Sequence, residues 1–303
     1  MKVSVVIPTR NEMFLNPTVA DIFEKAAGEI EVVVVLDGYW PEEMPTEPTK
    51  KGQTLKIVHK TGAQGMRPCI NDGVDVSTGK FVMKLDAHCM LDEGFDQKLA
   101  TDCDDDWVVI PRRYSLDIDN WKPQKRPIDY MFLSFPDDPA DFGGAGYHGR
   151  KWDIRNHNPN FEKIAIDDQM SFQGSSWFMP RDYFFFLELM DIDVYGPFWQ
   201  EAQEIGPKCF YSGGRLVRNK NTWYAHLHKG KRFGRGYFID KRSLRRAAPP
   251  TRAFIEGTDW HKQVRGLESW VDFFWPIPGW PEDWEKQLFG DKSGDKRVFA
   301  SAV

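Results

Sequence analysis

The N-terminal part of the chain alternates between unbroken apolar runs and amphipathic stretches. Val3-Ser4-Val5-Val6-Ile7 is nearly all apolar and is stopped by Pro8. Ile30–Leu36 is a second such run, ending on Asp37-Gly38, and residues 55–59 form a third. Valine- and isoleucine-rich runs without polar alternation predict strands buried on both faces, as in parallel sheets. Between the first two, Val19, Ile22, Phe23 and Ala26 recur at helical spacing and Gly28 stops the helix. Residues 65–79 predict a second helix, with Pro68 near its start and Gly79 at its end. Phe81–Leu85 is a fourth strand. The order strand, helix, strand, strand, helix, strand predicts a doubly wound α/β domain opening at residue 1.

Residues 81–88 read Phe-Val-Met-Lys-Leu-Asp-Ala-His. Side chains two apart on an extended chain point the same way. Asp86 and His88 therefore aim a carboxylate and an imidazole at one point past the strand's C-terminal end, the edge where ligands gather in open α/β sheets. One oxygen and one nitrogen suit a divalent ion such as Mn²⁺. The plainer alternative has Asp86 capping a turn and His88 as a surface or core histidine.

Four segments then carry a resemblance: Pro8-Thr9-Arg10-Asn11-Glu12, Leu36-Asp37-Gly38, Gly62-Ala63-Gln64-Gly65-Met66-Arg67 and Leu85-Asp86-Ala87-His88. Together they resemble the nucleotide-sugar half of a GT-A glycosyltransferase of the family-2 type. The Asp-x-His form is similar to that of the polypeptide N-acetylgalactosaminyltransferases. Gly174-Ser175-Ser176-Trp177-Phe178-Met179-Pro180-Arg181-Asp182-Tyr183-Phe184, Phe198-Trp199-Gln200-Glu201, Ser212-Gly213-Gly214 and Thr222–Lys229 resemble later segments of that family. The match runs over residues 3–229.

The resemblance implies a GT-A fold with a mostly parallel central sheet. It implies a catalytic domain over 1–229, divided into a nucleotide-sugar half (1–111) and an acceptor half (112–229), followed by a basic loop and an aromatic extension (230–303). It implies transfer from a UDP-sugar to an acceptor hydroxyl, with Mn²⁺ or Mg²⁺ held by Asp86, His88 and His226. Pro8, Thr9 and Glu12 are then expected to line the uracil and ribose pocket, and Asp37 to accept from base or ribose. Arg67 is expected to face the diphosphate, with Lys229 and Arg232 also serving the donor. Glu201 and Glu204, three apart on a predicted helix, share a face. Either is expected to bind sugar hydroxyls or take the acceptor proton, with a surface acid as the alternative for Glu204. Ala202 stands where inverting family-2 enzymes carry an aspartate base, so retention of the anomeric configuration is expected.

Composition changes the picture in two places. The chain has 303 residues, 41% hydrophobic and 28% charged, which fits a globular protein. No apolar stretch approaches the ~20 residues that cross a bilayer, so no membrane partner is expected. Met1 leads directly into a strand, and Cys69, Cys89, Cys103 and Cys209 form no Cys-x-x-Cys pair. Free thiols in a cytoplasmic protein are expected. Net charge is −5, yet residues 229–246 carry eight lysines and arginines against the single acid Asp240. Phe233, Tyr237 and Phe238 are interleaved there, and Gly230, Gly234 and Gly236 would let the segment act as a lid. Such a segment can hold a diphosphate, hold a nucleic-acid backbone, or be a solvated loop paired to nearby acids. Duplex DNA carrying hydroxymethylated bases, which some phage enzymes glycosylate, is therefore one acceptor; protein, small metabolite and glycan remain others.

Residues 112–165, rich in Asp, Pro, Asn and Gly and carrying Tyr147 and Trp152, read as a long acceptor-side insertion. Pro249-Pro250 is expected to break the chain. Beyond it, Trp260, Trp270, Phe273, Phe274, Trp275, Trp280 and Trp284 make either a packed cap or a stacking platform. Residues 291–303 are expected to fray. Two other classes compete. A nucleotidyltransferase would open on a glycine-rich loop, which Pro8-Thr9-Arg10-Asn11 is not. A non-catalytic nucleotide-sugar-binding protein would not need the Asp86, His88 and His226 set.

Overall fold

The computed structural model describes residues 1–136 and 146–290. The 291–303 stretch and a piece of the expected insertion lie outside the described residues. The strands are β1 (Val3–Thr9), β2 (Ile30–Leu36), β3 (Gln53–His59), β4 (Phe81–Leu85), β5 (Cys89–Leu91), β6 (Trp107–Asp117), β7 (Lys122–Pro123), β8 (Met131–Leu133), β9 (Gly149–Lys151), β10 (Ile166–Asp168), β11 (Ser176–Pro180) and β12 (Arg215–His226). The main sheet runs β10-β12-β6-β11-β4-β1-β2-β3, with β5 on β12 and β7 on β6; β8 and β9 pair separately.

The first half follows the expected order. β1 pairs in parallel with β2 and β4, and β2 with β3. Their alternating side chains feed two cores. Val3, Val5, Ile7, Val32 and Val34 pack on the helix Leu15–Lys25. Val6, Val33 and Val35 face the helices Met66–Asp75 and Glu201–Tyr211. Burial on both faces explains why these strands carry no polar alternation. Beyond β4 the sheet is mixed: β11 lies antiparallel to β4 and β6, while β12 runs parallel to β6. The fold is an α/β GT-A-type arrangement with a C-terminal aromatic layer.

For four of the C-terminal aromatics that layer favours packing over a stacking platform, while Phe273 and Trp275 stay exposed. Trp270, Phe274, Trp280 and Trp284 are buried with Tyr130, Tyr147, Trp152, Phe210 and Tyr211. The Trp280 indole N–H donates to the Leu133 carbonyl at 2.8 Å. Tyr147 and Trp152 of the insertion are thus core residues, and β8 and β9 give the insertion regular structure.

Pro249-Pro250 does not break the chain. Both lie inside the helix Lys241–Glu256, whose Leu244, Ala247, Thr251 and Ile255 are buried at helical spacing. This face packs on the helices Ile192–Tyr195 and Glu201–Tyr211, and that burial outweighs a proline cost of ~3 kcal/mol. The basic segment is accordingly part helix and part loop, with Asp240 accepting from the Arg242 backbone N–H at 2.9 Å as the helix N-cap. No helix among the described residues is long and apolar enough to cross a membrane.

Candidate metal and nucleotide site

A cleft of about 870 Å³ opens at the C-terminal edge of β1, β2 and β4, within the size range of small-molecule sites. Its metal-ligand corner is assembled by pairing. The last residue of β12, His226, lies opposite Cys89 of β5, and the Leu227 N–H donates to the His88 carbonyl at 3.1 Å. The His88 and His226 Nε2 atoms come within 3.0 Å of each other. Asp86 Oδ2 lies 3.3 Å from the first-mentioned nitrogen's neighbour, His226 Nε2, and 3.8 Å from His88 Nε2. Donor atoms at right angles around an ion about 2.1 Å away lie roughly 3.0 Å apart, so this mixed nitrogen and oxygen set fits a divalent ion such as Mn²⁺. Burial pushes the His226 imidazolium down to about 4, against the pull of Asp86; the ring is neutral at pH 7, the form that ligates.

Partners behind the triad orient it. Glu12 Oε2 lies 3.2 Å from His88 Nδ1 and pairs with the Lys229 ammonium. Burial raises the Glu12 carboxyl, but His88 and Lys229 outweigh it and hold the group below the usual carboxylate range. This carboxylate–histidine contact is the kind that fixes a metal-binding tautomer. Glu12 therefore faces the triad, although it lines the cleft beside Pro8 and Thr9. Thr9 and Tyr39 share a hydroxyl hydrogen bond of 2.8 Å. Asp37, at the end of β2, accepts from the backbone N–H groups of Gln64 at 2.6 Å and Gly65 at 3.1 Å. Asp37 thus shapes the Gly62–Gly65 turn as well as lining the cleft. Gly65 sits at φ +104° with Pro197 so close that a Cβ would meet its carbonyl at 2.7 Å, which is why glycine stands there.

Three expected residues lie elsewhere. Arg67 is fully buried, its guanidinium on Glu204 and on the Trp199 carbonyl at 3.0 Å; it points into the core and not toward a diphosphate. Glu204 is 0% exposed and also takes Lys208 Nζ at 2.9 Å and the backbone N–H groups of Met190 at 3.1 Å and Asp191 at 3.0 Å. Burial raises its carboxyl, but Arg67 and Lys208 outweigh that and lower it. It is a structural anion, with no carboxylate oxygen left for sugar. Arg232 forms an exposed two-point pair with Asp119 at 2.8 and 2.7 Å, outside the cleft lining.

Glu201 does line the cleft. Its Oε1 accepts from the Trp177 indole N–H at 3.0 Å and lies 3.4 Å from Lys84 Nζ. Burial raises its carboxyl above the usual range, opposed by Lys84. Lys84 itself, 1% exposed, donates to Asp86 Oδ1 at 2.6 Å and to the Gly174 carbonyl. Sequence reasoning passed over Lys84; a lone charge in a strand of otherwise buried apolar residues was the available signal. Arg235 and Tyr237 of the basic, aromatic segment also line the cleft. Asn11 Nδ2 donates to the Gly236 carbonyl at 2.6 Å, seating that segment over β1.

Residues 4–169 match the family model described as glycosyl transferase family 2. No curated protein sequence matches the chain. Among solved structures, GalNAc-T7 with UDP, GalNAc and Mn²⁺ aligns with a TM-score of 0.56 and 18% identity, over 75% of this chain and 44% of that one. S. aureus TarS 1-349 in complex with UDP-GlcNAc aligns with a TM-score of 0.50 and 15% identity, over 86% of this chain and 69% of that one. The chain thus spans under half the length of the GalNAc-T7 chain, and at these identities the likeness is one of fold. The family match covers more than half of the sequence, including β1, β2 and the Asp86-Ala87-His88 turn, and on it the chain belongs to glycosyl transferase family 2.

Proposed function

We propose that the protein transfers a sugar from a UDP-sugar to an acceptor hydroxyl, with a divalent ion at Asp86, His88 and His226. The observation that carries this reading is the convergence of those three donors in the same cleft as the strand-end residues Pro8, Thr9 and Asp37. UDP, UDP-GlcNAc and Mn²⁺ in the structurally similar proteins support it. Mn²⁺ or Mg²⁺ bound there would supply Lewis-acid neutralisation of the leaving diphosphate. Pro8, Thr9 and Asp37 would hold the nucleoside, and Lys229 and Arg235 would close over the phosphates from the lid. The reaction breaks the bond between the anomeric carbon and the β-phosphate oxygen, which leaves with the electron pair as UDP. A bond to the acceptor oxygen forms as the hydroxyl proton is lost.

Retention is the stereochemical outcome we favour. Ala202 offers no base where an inverting enzyme would hold one, and one oxygen of Glu201, Oε1, is engaged by Trp177 and Lys84. The hydroxyl proton then passes to the departing phosphate oxygen on the same face. Proton NMR of the product linkage tests this: an α-linked donor should give an α-linked product, and a β-linked product would make Glu201 the leading base.

For the acceptor we favour a hydroxymethylated base in DNA. Arg242, Arg245 and Arg246 are exposed along the helix that follows the cleft-lining residues Ile239 and Asp240, a charge layout suited to a polyanion. A UDP-sugar panel tested against hydroxymethylated duplex, peptide and glycan acceptors decides it. Transfer to peptide or glycan alone would replace the DNA reading.

A further inference from the structure

A second, smaller cleft of about 280 Å³ adjoins the first. The two share Gln173, Gly174, Trp199 and Glu201, so they adjoin along these residues. The side chains special to the second cleft are mostly carboxamide or apolar: Gln200, Gln203, Phe172 and Met131, with His148. No lysine or arginine lines it. Gln200 is buried, and its Oε1 has no hydrogen-bond partner while its Nε2 donates to the Tyr195 carbonyl at 3.0 Å. A buried acceptor left unmet is destabilising unless something supplies a donor. Trp199 and Gln200 both hold left-handed backbone, φ 67° and 62°, a conformation that is strained for non-glycine residues and gathers at ligand sites.

Cations stand at the rim instead. Arg150 and Lys151 are exposed on β9 directly after the lining residue Gly149, and the Arg235 guanidinium lies 5.5 Å over the Trp199 ring. A neutral interior with a cationic rim fits an uncharged group hung on an anionic chain. Resting on the donor reading above, we propose that this cleft seats a base turned out of a nucleic-acid strand, with its hydroxymethyl group directed toward Glu201. Its hydrogen-bonding edge would meet Gln200 and Gln203, and its ring would lie against Trp199 and Phe172. Turned-out bases are held in this manner, by edge hydrogen bonds and stacking; Gln203 Nε2 already donates to the Tyr147 carbonyl at 2.8 Å, so the unpartnered Gln200 Oε1 is the acceptor that an amino group on the base edge would meet.

Gly149→Leu tests the cleft, because a Cβ at this site meets only side-chain ends, Met131 Cε at 3.4 Å and Ser171 Oγ at 3.7 Å. The probes are a short duplex with one 5-hydroxymethylcytosine, its cytosine counterpart, a threonine peptide and a hexose glycoside. The ratio of sugar transfer to donor hydrolysis on the hydroxymethylated duplex should fall at least about tenfold in Gly149→Leu. Arg150→Ala/Lys151→Ala should flatten the log–log salt slope of duplex binding by about 1.8, two phosphate contacts. An unchanged ratio in Gly149→Leu overturns the assignment, as does transfer to peptide or glycoside but not to the duplex. If the parent protein hydrolyses no UDP-sugar, the donor reading fails by itself. The cleft is then judged by binding of the hydroxymethylated over the cytosine duplex, and equal binding in parent and Gly149→Leu overturns it.

Discussion

Lys84 ties one oxygen of Asp86 and leaves the other facing the two histidines. Its ammonium also separates Asp86 from Glu201, two carboxylates that would otherwise repel across a buried gap. Lys84→Met should therefore weaken Mn²⁺ binding about 10- to 100-fold, the usual effect of losing a partner behind a metal ligand. Titration of Mn²⁺ by electron paramagnetic resonance on the folded variant measures this, and parental affinity would rule out the positioning role. Glu204 has the opposite character. Glu204→Gln leaves Arg67 and Lys208 buried without their anion, a loss of about 3–5 kcal/mol of stability by urea unfolding. A variant of parental stability with impaired turnover would return Glu204 to the chemistry. Asp86, His88 and His226 were legible as residues because motif order located them. The fates of Arg67 and Glu204 were not, because their mutual pairing joins helices far apart in sequence.

Among the elements, β2 is pinned at its start by a charge. Glu31, 1% exposed, accepts from Ser4 at 2.7 Å and from the Thr78 N–H at 2.9 Å, and pairs with Lys2 and Lys56 at 3.2 and 2.8 Å. Burial raises its carboxyl, but Lys56, Ser4 and Thr78 outweigh that and bring it down to about 2 from 4.5. A depressed carboxyl stabilises the fold fully above the unfolded-state value, and the contribution is lost as pH falls from about 4.5 toward 2. Glu31→Gln should cost on the order of 2 kcal/mol at pH 7, allowing for the partly exposed lysines. Its stability gap to the parent should close between pH 4.5 and 2 in thermal unfolding. A gap that does not depend on pH would contradict the assignment. The strands and the first two helices were readable because local period and burial agree in them. The helix Lys241–Glu256 was not, because Pro249 and Pro250 argue locally against a helix that packing on two others sustains.

Over the described residues, the aromatic layer fastens residues 130–135 and 147–152 to the C-terminal helices, and so backs the second cleft. Trp270, buried against Phe210 and Tyr211 at ring distances of 6.4 and 6.0 Å, should cost about 3–5 kcal/mol when replaced by alanine. Mn²⁺ affinity in the variant's folded fraction should stay near parental, since the triad sits on a different core. Loss of Mn²⁺ binding at temperatures where Trp270→Ala remains folded would show the two regions to be coupled. The aromatic richness of this region was plain in the sequence. Its partner was not, because the insertion that completes the layer has little periodicity of its own.

The central claim is a UDP-sugar site built around Asp86, His88 and His226. Its most direct test is release of UDP from a UDP-sugar panel by metal-stripped protein, with and without added Mn²⁺, for the parent, Asp86→Ala and His226→Ala. The parent should be idle after stripping and restored by Mn²⁺. Each variant should remain folded and fall about a thousandfold in rate, several kcal/mol of transition-state stabilisation. UDP release by the stripped parent at its full rate, or by either variant at the parental rate, would contradict it.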